Sequence, residues 1–280
     1  MDSASSIIIY IIFGIIPSLT WLFYYLRKDV HPESNSSVIK IFLWGCLITV
    51  PVYFAQLLAT GLVDMLCQNL NLQSTNMLIS TPISALSTTE LGIVCLYWFI
   101  VIALSEEFFK YLIIKTRILN SSELDEPIDV MLYMVIAALG FTAVENVLYI
   151  FTPASTLSFA ALINRTMLLS FIRFIGATFL HTLCSAVMGY ALAVSLCKLK
   201  RRWLYTLTVL FMATVLHGLY DFSIITLEGN LKIIAPITIL IILAILTSIG
   251  FDKLKELKSV CSLKELWQTK LNQKVLKARK

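Results

Sequence analysis

Four short stretches place ionisable side chains inside apolar surroundings. The first, ALSEEFFKYLIIK, sets Glu106 and Glu107 four and three residues ahead of Lys110. At helical spacing the lysine reaches either carboxylate on one face. Two adjacent carboxylates with one cation leave a glutamate that is unpaired or shares a proton, which is the setting a general base needs. The plainer role is an ion pair that fixes helix packing. The second stretch, GFTAVENVLY, carries Glu145 with Asn146 beside it. A neutral acid hydrogen-bonded to a neighbouring helix would explain that glutamate as well as chemistry would. In the third, SFIRFIGATFLHTLCSAVMGYAL, Arg173 precedes His181 by eight residues, just over two turns. Arg173 either pairs with a carboxylate or snorkels to an interface. The fourth, TVLHGLYDF, puts His217 and Asp221 four apart on one face. A carboxylate there fixes an imidazole tautomer, for proton transfer or for holding a metal.

The elements that must position these groups are membrane helices. Of 280 residues, 58% are hydrophobic and 14% charged, against roughly a quarter charged in soluble domains. Seven apolar segments reach or approach the ~20 residues that cross a ~30 Å hydrocarbon core. They lie at about 7–26, 38–63, 91–114, 128–152, 166–197, 204–227 and 231–250. Continuous apolar runs, not two-residue alternation, select helices over a barrel. The fold class is therefore all-α, a polytopic bundle of about seven transmembrane helices. Its fifth segment is long enough to tilt or to start outside the lipid.

Charge sets an orientation. Nine Lys/Arg lie on alternate connections and nine more between Lys253 and Lys280, whereas the other connections hold only Arg165 and Lys232. That asymmetry predicts an outside N-terminus and a cytoplasmic C-terminus. Residues 1–6 lack the basic region of a cleaved signal. Of the six cysteines only Cys67 falls in a predicted outer loop, so no disulfide scaffold is expected. Residues 1–250 read as one membrane domain with a polar 64–90 loop and a polar turn, Asp125-Glu126-Pro127, before the fourth segment. Residues 251–280 read as a basic tail in which Leu254, Leu257, Cys261 and Trp267 recur at near-helical spacing. That pattern suits an amphipathic helix on an anionic inner leaflet, or a solvated tail that only fixes topology.

Buried charge is expensive, at least ~2.5–3.5 kcal/mol per group on insertion scales. Counted at ~1.5 Å per residue from the cytoplasmic ends, Glu106 lies about 12 Å deep, His217 about 20 Å, and His181 and Glu145 about 25 Å. One polar site explains four such residues on four helices better than four separate accidents do.

The ordered set Glu106-Glu107-x-x-Lys110, Gly140-Phe141-x-x-x-Glu145-Asn146, Arg173-x7-His181 with Gly189 after it, and His217-Gly218-x-Tyr220-Asp221 resembles the PrsW family. These are intramembrane proteases of the superfamily that includes the CAAX prenyl endopeptidases. Asp29 with His31-Pro32-Glu33, and Asp125 to Asp129, agree with it. The resemblance spans roughly residues 15–225. It implies peptide-bond hydrolysis in or beside the bilayer, often of a membrane-bound regulator such as an anti-sigma factor. It implies that Glu106 and Glu107 supply the base, that Glu145, His181 and His217 complete the site, and that Asp221 orients His217. Lys110, Asn146 and Arg173 support them. Both a zinc site built from Glu145, His181 and His217 and a metal-free glutamic mechanism remain open. Phe108-Phe109 and Phe179-Leu180 stand where smaller residues are expected in some relatives, which affects pocket shape more than chemistry.

Two other functions fit the same composition. A non-catalytic scaffold has less reason to bury Glu106 and Glu107. A proton-coupled transporter would use buried Glu and His, but the sequence shows no inverted repeat and no pair of spans interrupted by Gly or Pro. The expected partners are the lipid bilayer and a single-span membrane protein substrate, with no nucleic acid and with the cell membrane as location. Oligomeric state is not encoded in any motif.

Overall fold

A computed structural model describes residues 3–28, 33–119, 121, 124, 126–151, 158–198 and 202–257. Asp29, His31, Pro32, Asp125 and the tail from 258 onward, with Cys261 and Trp267, lie outside the described residues. Among the described residues there is no strand, and seven helical stretches are long and apolar enough to cross a membrane.

The centre is α6 (Pro127–Ile150). Pro127 stands at its first position, where no amide is needed, and the Glu126 amide donates to Asp129 Oδ2 at 2.7 Å. Every residue from Pro127 to Ala143 is buried, because other helices surround this one on all sides. They are α1 (Ser3–Leu26), α2 (Asn35–Asn69) and α8 (Ala177–Lys198). The close crossing of α2 and α6 requires Gly45 and Gly140. A Cβ on Gly140 would penetrate the Phe42 carbonyl, and one on Gly45 the Ala137 carbonyl. Small residues replace side-chain interdigitation here, as is usual where lipid supplies no hydrophobic drive between helices.

The third predicted segment is not a uniform helix. α4 (Thr88–Leu96) opens on a Ser87/Glu90 capping box. It continues as π-helical turns over Tyr97–Leu104, returns to α5 (Ser105–Ile113), and ends in a second π-helical stretch, Ile114–Ile118. Each such turn shifts the phase of the helix, and the longer one immediately precedes Glu106 and Glu107. The fifth segment also differs from expectation. It is two helices, α7 (Phe159–Ile175) and α8, separated at Gly176, whose φ of −92° and ψ of −97° are not helical. A Cβ on Gly176 would meet the Tyr220 hydroxyl, so the missing side chain makes room for α9 (Arg202–Ile225). α10 (Leu231–Leu257) packs on α8 and α9.

Two boundaries are corrected. α2 runs on to Asn69, so Cys67 is buried in a helix and not in an outer loop. Val63 and Cys67 pack there with Leu78 of the short α3 (Thr75–Ile79) and with Ile93 and Val94. Asp64 accepts a 2.8 Å bond from the Thr75 amide, which closes this cap. At the other end α10 passes through residue 250, and Phe251 and Leu254 join the main core.

Candidate active site

The ionisable residues of α5, α6, α7, α8 and α9 converge. Glu106 and Glu107 are neighbours in sequence but face different surroundings. Glu107 is wholly buried, with Oε1 accepting from Lys110 Nζ at 2.8 Å and lying 2.9 Å from His217 Nδ1. Lys110, also wholly buried, reaches His181 Nδ1 at 2.6 Å and stands over the Phe141 ring at 4.7 Å. Gly140 therefore does more than allow a helix crossing, since the backbone approach it permits seats Phe141 against both Lys110 and His181.

Glu106 turns the other way. Its Oε1 accepts from Gln56 Nε2 of α2 at 3.1 Å. Its Oε2 is buried without a hydrogen-bond partner, 3.8 Å from His181 Nδ1, 3.8 Å from Lys110 Nζ and 3.9 Å from His217 Nε2. The two imidazoles meet edge to face with centroids 4.7 Å apart. Asp221 Oδ2 lies 3.3 Å from His217 Nε2. His217 thus has a carboxylate at each nitrogen, with Glu107 the closer, so the orienting role expected of Asp221 is shared with Glu107.

Glu145 belongs to a second group. Arg173 NH2 lies 2.9 Å from its Oε2, and His181 Nε2 lies 3.2 Å from the same oxygen. The Arg173–Glu145 contact is close but poorly aligned for a hydrogen bond, so it is best described as an ion pair. Arg173 Nε donates to Asn146 Oδ1, and Asn146 Nδ2 donates to the Gly14 carbonyl at 3.2 Å and to Thr178 Oγ1 at 3.0 Å. The arginine does not snorkel. An amide anchored to α1 and α8 fixes it, and it covers the Tyr149 ring at 4.4 Å.

A cavity of about 260 Å³ lies among these groups, with Glu106, Glu145, His181, His217 and Asp221 in its wall. Glu107 and Lys110 are absent from that wall. Trp98, Ile102, Ile172 and Ile224 supply apolar lining. Trp98 comes from the π-helical turns of the third span and Arg173 from α7 just before the Gly176 break, so both irregularities shape the cavity wall.

The donor set fits a divalent cation. Among the described residues, ligand atoms of Glu106, His181 and His217 lie within 4.8 Å of one another. Ligands of tetrahedral zinc are about 3.4 Å apart at ~2.1 Å bond lengths. Glu106 Oε2 lies 3.8 Å from His181 Nδ1 and 3.9 Å from His217 Nε2, so an ion would draw these atoms together, and Lys110 Nζ, 2.6 Å from His181 Nδ1, would have to release that nitrogen. The unpartnered Glu106 Oε2 is the atom such an ion would satisfy, and Glu107 behind His217 provides the carboxylate–histidine pairing typical of metal ligands. This grouping differs from the expected Glu145, His181 and His217, because Arg173 engages Glu145 at the cavity edge.

Sequence reasoning overlooked Gln56, which was one amide in a long apolar helix, and Thr178. The only available signal was polarity at a span depth shared with Glu106.

The profile described as "PrsW family intramembrane metalloprotease" matches residues 33–249. Among curated relatives, Protease PrsW of Clostridioides difficile (strain 630) is 29% identical over 247 residues, covering 87% of this chain and 89% of its own. Protease PrsW of Geobacillus kaustophilus is 26% identical over 218 residues, 77% of this chain and 79% of its own. Protease PrsW of Bacillus subtilis (strain 168) is 25% identical over 251 residues, 88% and 94% respectively. No solved structure matches. The family match spans all the helices that carry the converging acids and imidazoles, and this chain belongs to the PrsW family of intramembrane proteases.

Proposed function

We propose that the protein cleaves a single-span membrane protein, such as a membrane-bound regulator of the anti-sigma type, within the cell membrane, with its N-terminus outside and C-terminus in the cytoplasm. The observation that carries this reading is the Glu106 carboxylate, held on one oxygen by Gln56 and bare on the other, facing two imidazoles across a cavity among helices long and apolar enough to cross a membrane. Glu106, His181 and His217 would hold a zinc ion, which supplies Lewis-acid polarisation of a carbonyl and a water acidified to a pKa of about 7. Glu145, placed by Arg173 at the cavity wall, takes the proton of the attacking water and returns it to the leaving nitrogen. Arg173 steers the peptide carbonyl, and Glu107 keeps the His217 ring turned so that Nε2 faces the cavity. Trp98, Ile102 and Ile224 pack against an apolar substrate side chain.

One contact favours a second, metal-free reading. Lys110 donating to His181 Nδ1 leaves the Nε2 proton directed at Glu145 and the cavity, a donor for a developing oxyanion, with Glu106 as base. Metal analysis of the purified protein separates the two, combined with cleavage of a co-reconstituted single-span substrate before and after chelation. Near-stoichiometric zinc and chelator-sensitive cleavage support the zinc reading. Metal-free protein with full activity supports the glutamic one. No cleavage of any single-span substrate by folded protein, with or without zinc, would overturn both.

A further inference from the structure

A larger cavity, about 450 Å³, lies between α1, α7, α8 and α10 and shares no wall residue with the catalytic one. Its size is in the range of ligand sites, ~300–1,000 Å³. One wall is aromatic. The Trp21 ring stacks on Phe179 with centroids 4.4 Å apart and on Phe174 at 5.3 Å, and Tyr25 stacks on Phe251 at 5.7 Å. Thr247 also lines this wall. Its hydroxyl is buried and has no hydrogen-bond partner among the described residues, unlike that of Thr238 on the same helix, which bonds back to the Ile234 carbonyl at 2.8 Å. At one end stand Lys28, just beyond α1, and Lys255, in the last turn of α10. Asp252 lines the same mouth, leaving two ammonium groups against one carboxylate.

An apolar aromatic trough with a net positive mouth matches a lipid more closely than a helix. The lysines occupy the side rich in Lys/Arg, which the positive-inside rule assigns to the cytoplasm. The cytoplasmic leaflet carries anionic lipids, and basic pockets between helices there recognise such headgroups. We propose that this cavity binds one anionic phospholipid. Its acyl chain lies along Trp21, Phe174 and Phe179, and its phosphate sits between Lys28 and Lys255. The site also bears on the catalytic one. Trp21 Nε1 donates to the Phe174 carbonyl at 3.0 Å, and Phe174 and Phe179 flank the Gly176 break between the helices that carry Arg173 and His181. An occupied trough braces that bend.

The test is native mass spectrometry of the detergent-purified full chain with added phosphatidylglycerol, phosphatidylcholine or inorganic phosphate. Its outcome does not depend on the protease reading. Wild-type protein is expected to retain phosphatidylglycerol at least tenfold more than phosphatidylcholine and to show no adduct or thermal stabilisation with inorganic phosphate. The Lys28→Glu/Lys255→Glu double variant is expected to lose that preference. Equal retention of the two lipids by wild-type protein would overturn the proposal without any variant. So would unchanged phosphatidylglycerol retention in a double variant with a wild-type melting curve. Stabilisation by inorganic phosphate alone would replace the lipid with a free anion.

Discussion

The candidate active site has a closed half and an open half, and the proposed function divides its chemistry accordingly. In the closed half, Glu107, Lys110 and His217 Nδ1 form an ion-pair network with no solvent-facing atom. In the open half, the side chains of Glu145 and Asp221 keep 30% and 24% exposure at the cavity wall, and Arg173 is pinned beside them. Groups sealed from water can position their neighbours but cannot meet a substrate. The two adjacent glutamates therefore have separate surroundings, Glu107 sealed among its partners and Glu106 at the cavity, and the proposed function gives Glu107 a supporting role. His217 joins the halves, with one nitrogen on each side.

Breaking that joint should have the largest effect. His217→Ala is expected to lower cleavage by about 10³-fold or more and to abolish zinc retention measured by elemental analysis. Unchanged zinc content would detach the metal from this histidine. Glu107→Gln comes next and acts through stability. It leaves Lys110 buried with only the more distant Glu106 carboxylate, 3.8 Å away, to balance it, at up to about 3–5 kcal/mol, visible as a lower detergent melting temperature. The double variant Glu107→Gln/Lys110→Met should recover most of that stability without recovering activity. Recovery of both would mean that the closed half has no positioning role.

Substitutions in the open half should do the reverse. Arg173→Ala is expected to reduce kcat about 10- to 100-fold, the scale of a misplaced catalytic group, while the melting temperature shifts less than in Glu107→Gln. A larger stability loss than activity loss would erase the distinction between the halves. The smallest effect is predicted for Gln56→Leu, which removes one hydrogen bond to Glu106. At about 0.5–1.5 kcal/mol, the loss is a few-fold to roughly tenfold in kcat/KM.

Much of this was readable in the sequence, for physical reasons that also set the limit. Glu106, Glu145, His181 and His217 stood out because charge in an apolar run is costly enough to demand a cause. Their convergence followed from four such helices needing one shared polar volume. Which of Glu106 and Glu107 faces that volume was not readable. It depends on the phase of the π-helical turns over Tyr97–Leu104, and no residue type announces them. The Gly176 break was hidden for a similar reason, since the apolar run passes through it without a proline. Its cause lies in the Tyr220 hydroxyl on another helix. Gln56 was missed because a neutral amide in a 35-residue helix carries too small a penalty to stand out.

The most direct measurement is cleavage of a co-reconstituted single-span substrate by Glu106→Gln, compared with wild-type protein of equal helicity and melting temperature. Near-isosteric exchange removes the free carboxylate oxygen and leaves the surrounding packing intact. Loss of cleavage by about 10³-fold in a folded variant is predicted. Wild-type turnover in that variant would contradict the placement of Glu106 at the reacting centre.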